Sequence, residues 1–550
     1  MIIQYSMTDG LRGIEQKSDN DIRFVTFNVN GIRTLFHYQP FSTMNQSLRK
    51  VFDYLQSDVI TFQELKTERL SISRWGKVDG FYSFISIPTS KKGYSGVGCW
   101  IRIPPVGNPL HHQLKVIKAE EGITGCLTIK IRGNNVRYRD DLSQGIGGYD
   151  SLGLDEKDNN AEALKLDSEG RCVIVELACN IIIFNVYCPA NSTFTQEGQE
   201  FKMKFLKVLF KRIRNLKEMK KNVILMGDLN VCRDLIDSAE ALENSSIQIT
   251  SETTGCGIEA NYSEIAREFV LNPDTPHRRL LNQIITDSII PEVSDEGILI
   301  DTTRFIQTKK RLKMYTVWNT LKNTRSINYG SRIDFILISN ILKEGIKNAN
   351  ILPDVMGSDH CPVYFDLNMI PLNPVNSLHN AKLPKFEAKF KFELNHRNVL
   401  DLFSKNSNKA KEMITELKDF GSNTGKSSIN ETNDLNRIVK RSISNKSKSI
   451  DSFFKSQHNG SVASRNRSME LLARISGRNE ERTSSNIIST QSKLTIAEGL
   501  DDTPLCKHNE EAILRISKTV SNFGKRFWTC KKPKGNSNNR DSSCGFFQWI

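Results

Sequence analysis

The sequence predicts an α/β fold, a sandwich of β-sheets covered by helices, and three observations carry that expectation. Between about Ile22 and Leu367, short apolar runs rich in β-branched and aromatic residues recur at intervals, each bounded by Gly, Asn, Asp or Pro, as strands are. A helical pattern at 197–221 places Phe201, Phe205, Leu209, Ile213 and Leu216 on one face with Lys and Arg around it. After Leu367 the pattern dissolves into Ser-, Asn- and Lys-rich sequence that cannot bury a core.

Taken in order, residues 1–21 are expected to be a flexible start. They lack the charged and apolar regions of a secretory signal. The strand-like runs of the main domain, 22–370, are IRFVTFNV, DVITFQE, GVGCWIRI, CVIVEL, IIIFNVY, NVILMGDLN, RIDFILIS and PVYFDL. Two polar stretches interrupt them: 134–170, acidic and Gly-rich, predicts a long inserted loop, and 238–262 predicts another. Residues 371–503 predict a disordered basic linker, and 504–550, where Cys and aromatic residues return, predict a small separate module.

Charge follows the same division. The net charge of +14 is concentrated in the tail: 371–500 contribute +9 and 501–550 contribute +4, leaving +1 for the first 370 residues. A basic tail points to a polyanionic partner. No run approaches the ~20 apolar residues needed to span a membrane. The 11 Cys, mostly single and inside apolar runs, read as reduced thiols, not a disulfide framework.

The chemistry lies in where the apolar runs turn polar. FVTFN ends in Asn28, VITFQE in Glu64, IIIFNVY in Tyr187, and VILMGDLN in Asp228 and Asn230; RID carries Asp334, and SDH places Asp359 and His360 before PVYF. Any one of these alone is an ordinary turn, cap or core residue. Together, at the ends of strands in a sandwich, they can gather around one mouth. Carboxylates and carboxamides beside a histidine suit phosphodiester hydrolysis: a hard cation takes the oxygens and neutralises the phosphate, and a base prepares water.

The series FNVNGIR, QELK, YCPAN, GDLN, SRIDF and SDHCP resembles the signature of the exonuclease III-type AP endonucleases, of the endonuclease/exonuclease/phosphatase superfamily, over residues 22–367. YRDDLSQGIGGY (138–149) and NTRSINYGSRIDF (323–335) resemble the AP endonuclease 2 branch in particular. The resemblance implies a four-layered α/β sandwich, two packed sheets flanked by helices. It also implies a Mg²⁺-dependent nuclease of base excision repair, with Mn²⁺ an alternative ion. Such an enzyme cuts 5′ to abasic sites and removes 3′ blocking groups and 3′ nucleotides.

By the same resemblance Glu64 is the main Mg²⁺ ligand, supported by Asp359, while Asn28, Asp228, Asn230 and His360 make further metal or phosphate contacts. Asp228 orients or deprotonates the attacking water, and Asn230 stabilises the pentacovalent oxygens. Asp334 holds His360 on the scissile phosphate, and Tyr187 lies against the phosphate or leaving group. Three positions depart from the family: Asn30 stands where several relatives have Asp, Ala190 where Asn is common, and Ser331 where the abasic-endonuclease branch often has Trp beside its sugar pocket. A smaller residue at 331 implies a looser grip on an abasic sugar and stronger 3′ trimming.

In the terminal module Cys506, His508, Cys530 and Cys544 offer the soft ligands of a closed zinc site, and so small a module needs such a staple. NFGKRFWTC…CGFFQW resembles a GRF-type zinc finger with Lys525 where Arg is usual. This implies single-stranded DNA binding, with Lys525, Arg526 and Lys531 supplying charge. Phe527 and Trp528 either stack on bases or fill the core, and Phe546, Phe547 and Trp549 are expected in the core. In the linker, 447–454 resembles a sliding-clamp (PCNA) box through Ile450, Phe453 and Phe454, with Ser447 in place of the leading Gln. The basic stretch Arg437–Lys448 reads as a nuclear localisation signal, consistent with a protein of the nucleus. A phosphoinositide phosphatase, sphingomyelinase or RNA deadenylase shares the metal-and-histidine plan; the DNA-binding tail argues against these. An inert DNA-binding scaffold would not need the complete polar set.

Overall fold

The computed structural model describes residues 14–89, 91–154, 160–192, 194–368, 382–394, 504–516, 526–532 and 543–549. Strands β1 (Asp21–Asn28), β2 (Val59–Gln63), β3 (Phe81–Ser86) and β4 (Val97–Arg102) open the main domain. Next come β5 (Val116–Glu121), a hairpin of β6 (Thr128–Ile131) and β7 (Asn134–Arg137), then β8 (Cys172–Leu177), β9 (Ile181–Tyr187), β10 (Asn222–Asp228) and β11 (Leu299–Asp301). A second hairpin, β12 (Val317–Trp318) with β13 (Gly330–Ser331), precedes β14 (Asp334–Ser339), β15 (Ile346–Ile351) and β16 (Val363–Asn368).

Two six-stranded mixed sheets result, in the orders β15-β16-β1-β2-β4-β3 and β11-β14-β10-β9-β8-β5. Each has one parallel pair at its centre, β1 with β2 and β9 with β10. Each parallel pair is joined by a helix, Leu48–Tyr54 in the first sheet and Gln196–Glu218 in the second, because parallel neighbours require a crossover.

Alternation along the strands builds the layers. Phe24 faces an inter-sheet core with Val175, Ile183, Met226, Ile336 and Phe365, while Val25 and Phe27 face outward into a cluster with Val51 and Phe52 of the first crossover helix. Phe184, Val186 and Leu225 face the second crossover helix, meeting Phe205, Leu209, Ile213 and Leu216. Helix, sheet, sheet and helix make the four-layered α/β sandwich expected from the motifs.

Four boundaries differ from the sequence expectation. The stretch 134–170 is not one loop: it contains β7 and the helix Ala161–Asp167, and Tyr138, Ile146, Tyr149 and Leu152 are buried. Its Gly-rich part clamps onto the second crossover helix. Arg212 of that helix, fully buried, pairs with Glu120, and its guanidinium also donates to the Gly147 carbonyl at 3.0 and 3.2 Å. Gly148 has φ +76°, and a Cβ there would lie 2.9 Å from Leu216, so only glycine permits this approach. The stretch 238–262 is mostly two short helices, Ala239–Asn244 and Gly255–Asn261.

The third difference is at the linker. Residues 382–394 form a strap on the main domain, with the short helix Ala388–Lys391 packed on the edge strand β3. Phe386 enters the inter-sheet core near Phe84 and Tyr138, Ala388 and Leu394 cover Gly76, and Lys391 pairs with Glu121 at 2.6 Å. At the other end, Ile14 packs on the domain and Lys17 reaches Asp58 at 3.2 Å, so 14–20 is pinned. The terminal module forms a separate antiparallel sheet of β17 (Ile513–Ile516), β18 (Arg526–Thr529) and β19 (Phe547–Trp549).

Candidate active site and zinc cluster

Strand register places the polar residues together. Asp228 at the end of β10 is in register with Tyr187 on one side and Asp334 on the other, and in the facing sheet Asn28 is in register with Gln63, the residue before Glu64. The backbone is bent to present them. Gly227 has φ +138°, and a Cβ there would strike the Val186 carbonyl. Glu64 and Asn230 occupy left-handed conformations at φ +51° and +52°, a conformation costing a non-glycine residue about 1–3 kcal/mol.

Asn28 links the two sheets, its amide donating to Glu64 Oε1 and to Asp228 Oδ2, each at 2.9 Å. Asp228 Oδ1 accepts from the Asn230 backbone N–H at 2.9 Å, and Oδ2 accepts from the Asn230 side chain at 3.1 Å. His360 Nδ1 donates to Asp334 Oδ2 at 2.8 Å, and Thr316 Oγ1 donates to the same oxygen at 2.7 Å. Ligand atoms of Glu64, Asp228 and His360 lie within 4.8 Å of one another. Carboxylate oxygens in that arrangement, held in place by the Asn28 and Asn230 amides, fit a hard divalent cation.

Electrostatics grade the groups. Burial opposes ionisation of Glu64, but Lys66 at 2.8 Å and Asn28 outweigh it and hold the carboxyl below its ordinary range. Burial, reinforced by Asp334, lifts Asp228 to about 7. Burial opposes the charge on His360, yet Asp334 prevails and raises it to about 10, so the ring is an imidazolium at neutral pH. Burial, with Glu64 and Asp228 nearby, pushes the Tyr187 phenol up, so it stays protonated and able to donate.

Asp359 is not part of the three-residue cluster. Its Oδ1 accepts from Asn30 Nδ2 at 2.9 Å and from Ser358 Oγ at 3.1 Å, and Asn30 in turn receives Lys66, which places Asp359 at the rim of Glu64's loop. Thus Asn30, conspicuous as a departure from Asp, bridges Asp359 and Lys66. Sequence reasoning missed Lys66, Thr316, Ser358, Arg171 and Lys202. Ser358 Oγ donates to the Asn28 carbonyl at 2.7 Å and accepts from the His360 N–H at 3.1 Å. The Arg171 guanidinium lies 4.7 Å from the centre of the Tyr187 ring. Lys202, buried on the second crossover helix, donates to the Asn230 carbonyl at 2.8 Å. Lys66 and Ser358 were visible in QELK and SDH; Thr316, Arg171 and Lys202 carry no local signal, since only tertiary packing brings them in.

Ser331 lies in β13, half-buried, in register with Val317 and bridged to Ser238. Below it a buried network joins Asp237 and Asp301 to Arg332, Arg304 and Arg233 at 2.6–3.1 Å, fixing the β13–β14 corner from which Asp334 projects.

In the terminal module the ligand atoms of Cys506, His508, Cys530 and Cys544 also lie within 4.8 Å of one another. His508 Nδ1 is 3.7 Å from Cys506 Sγ and 3.5 Å from Cys530 Sγ, close to the ~3.6 Å edge expected between sulfur and nitrogen on a tetrahedral zinc ion. The aromatics depart from expectation. Phe547 and Trp549 are 52% and 42% exposed, not core, and Phe546 is half-buried. Phe527, Phe547 and Trp549 cluster with ring centres 4.8–5.4 Å apart. Arg526 is exposed on the opposite face of β18 from Phe527, and Lys531 is exposed with Nζ 3.7 Å from Glu510. Lys525, Ile450, Phe453, Phe454 and the basic stretch 437–448 lie outside the described residues.

The profile of the Endonuclease/Exonuclease/phosphatase family matches residues 25–360, and that of the GRF zinc finger matches 504–550. The chain is 55% identical over 546 residues to the DNA-(apurinic or apyrimidinic site) endonuclease 2 of Saccharomyces cerevisiae, covering 98% of each. It is 24% identical over 573 residues to the human protein of that name, covering 96% of this chain and 99% of the other. Among solved structures, the Xenopus laevis APE2 catalytic domain aligns with 68% of this chain and 99% of its own, at 25% identity and a TM-score of 0.49.

Proposed function

The chain belongs to the endonuclease/exonuclease/phosphatase family, in its AP endonuclease 2 branch, and from that premise we propose a Mg²⁺-dependent DNA repair nuclease. It cleaves 5′ to abasic sites and trims blocked or mismatched 3′ ends. The observation that carries this reading is the convergence of Glu64, Asp228 and His360 within 4.8 Å, tied across the two sheets by Asn28.

A divalent cation bound by Glu64, with Asp228 and the Asn28 and Asn230 amides beside it, would neutralise the phosphate and lower the charge barrier to attack; Asp359 supports this set through Asn30. Asp228, fixed by two amides, accepts the proton of the attacking water. His360 donates from its free ring nitrogen to a phosphoryl oxygen, and Asp334 holds the ring in that orientation and charge state. Asn230, anchored by Lys202, donates to the developing oxyanion. Tyr187, stacked against Arg171, donates to the phosphate or leaving oxygen. Residue 331 being Ser, the sugar pocket is open, which favours 3′-phosphodiesterase and 3′–5′ exonuclease action.

The zinc module supports binding to single-stranded DNA: Phe527, Phe547 and Trp549 offer a stacking surface, and Lys525, Arg526 and Lys531 offer charge. The linker box at Ile450, Phe453 and Phe454 docks on a sliding clamp, and the protein works in the nucleus. Purified protein assayed with Mg²⁺ or Mn²⁺ on duplexes bearing an abasic site, a 3′-phosphoglycolate or a mismatched 3′ end tests the reading. Cleavage of all three, abolished in Asp228→Asn, is expected; inactivity on all three would refute it.

A further inference from the structure

The strap 382–394 does more than seal the first sheet. It completes two adjoining hollows of about 440 and 490 Å³ that share Arg69 and Lys391. The first begins at Thr67 and Glu68, directly after Lys66, and takes in Lys91 and Lys92; the second is lined by Lys130, Lys385 and Lys389. We propose that this continuous cationic groove is a docking track for the sugar–phosphate backbone of a duplex DNA arm running out from the cleavage centre. The inference rests on the nuclease reading and extends it to a surface remote from the catalytic groups.

The charge balance supports a polyanion. Of the carboxylates lining the groove, Glu121 is held by Lys391 and Ser86, and Asp167 is turned to the Ile123 and Thr124 amides. Glu68 and Glu393 remain, against Arg69, Lys91, Lys92, Lys130, Lys385 and Lys389. Among the described residues Lys130, Lys385 and Lys389 make no ion pair. The strap is also preorganised. Phe386 and Ala388 are buried, and Glu387 caps the short helix by accepting from the Lys389 N–H at 3.0 Å, so Lys385 and Lys389 are held outward. Both ammonium groups lie over the exposed Phe390 ring, at 5.3 and 5.0 Å from its centre. Lys385, Lys389 and Lys391 come from the basic segment after residue 370, so the strap adds positive charge to a body whose first 370 residues carry a net charge of only +1.

Continuity with the cleavage centre favours DNA over an acidic protein. Lys66 bonds Glu64 at the head of the groove. Lys91 Nζ sits 3.9 Å above the Tyr94 ring, and the Tyr94 hydroxyl accepts from Arg171, the residue that covers Tyr187. A strand leaving the scissile phosphate on this side meets cations at each step, whereas an acidic peptide has no reason to begin at a nuclease centre.

The test is the full-length triple variant Lys130→Gln, Lys385→Gln, Lys389→Gln, assayed on abasic duplexes with long arms or with either arm trimmed short. On long-arm duplexes kcat should be unchanged and Kd weakened. The slope of log K against log salt should be shallower by about 2–3, from losing three phosphate contacts at ~0.9 each. Trimming one particular arm should erase the difference from the unaltered protein. Identical Kd and salt slope on every duplex would overturn the groove assignment, as would an equal loss whichever arm is trimmed. Failure of the substrate reading itself would show separately, as no cleavage by the unaltered protein.

Discussion

Nδ1 of His360 donates a 2.8 Å hydrogen bond to Asp334, whose carboxylate comes from the neighbouring strand of the opposite sheet. The pair makes the imidazole a fixed cation at the mouth of the sandwich. Asp334→Asn removes the negative charge while keeping the shape, so His360 loses its orientation and its raised affinity for the proton. Cleavage of an abasic duplex under single-turnover conditions should fall about 10²- to 10⁴-fold, the range for a lost acid–base contribution. The melting temperature at neutral pH should drop as well, because the buried imidazolium loses its counter-charge.

The buried network beneath Ser331 predicts acid sensitivity. Burial works against the Asp237 and Asp301 carboxylates, but Arg332 with Arg304, and Arg332 with Arg233, hold both below the ordinary carboxylate range. Such groups contribute stability in full above the unfolded pKa of about 3.9, and that contribution is lost as pH falls through their lower folded values. Asp237→Asn strands Arg332 and Arg304 and should destabilise the main domain by about 3–5 kcal/mol at neutral pH. Denaturant melts between pH 3 and pH 7 should then show a flatter acid limb than the unaltered protein.

Truncation gives a test of the domain boundary. Phe386 is 1% exposed between the sheets, and Phe386→Ala should cost about 3–5 kcal/mol. A chain ending at 394 should melt cooperatively at the temperature of the full protein's main transition, while one ending at 370 should melt lower. Equal melting would remove the strap from the folded domain.

Chelation bears on the terminal module. With three thiolates and an imidazole drawn together, zinc binding supplies on the order of 10 kcal/mol to folding in modules of this size. Cys530→Ser or strong chelation should therefore abolish binding of single-stranded DNA by this part of the chain. Incision of short abasic duplexes, measured after Mg²⁺ is restored, should persist.

The site was legible because strand ends announce themselves. Asn28, Glu64, Asp228 and Asp334 each terminate or begin an apolar run, and register alone carries them to one mouth. The parts that were not legible depend on partners distant in sequence. Phe386 and Ala388 sit in KFEAKFKFEL, a short run in polar surroundings that looks like linker until β3, some 300 residues earlier, is folded beside it. Tyr138, Ile146 and Tyr149 are irregularly spaced and are buried only because Glu120 and Arg212 form a pair that the Gly-rich segment can cap. Phe547 and Trp549 were expected to fill a core, but three short strands and four metal-ligand side chains leave them little core to fill.

If Glu64 and its neighbours hold one divalent ion against a DNA phosphate, loss of the Glu64 charge must weaken both ion binding and cleavage. Mg²⁺ titrations of single-turnover incision of an abasic duplex, run on the unaltered protein and on Glu64→Gln, separate the two effects. The variant should be slower by at least about 100-fold and should require more Mg²⁺. An unchanged rate with an unchanged Mg²⁺ dependence would remove Glu64 from the metal site.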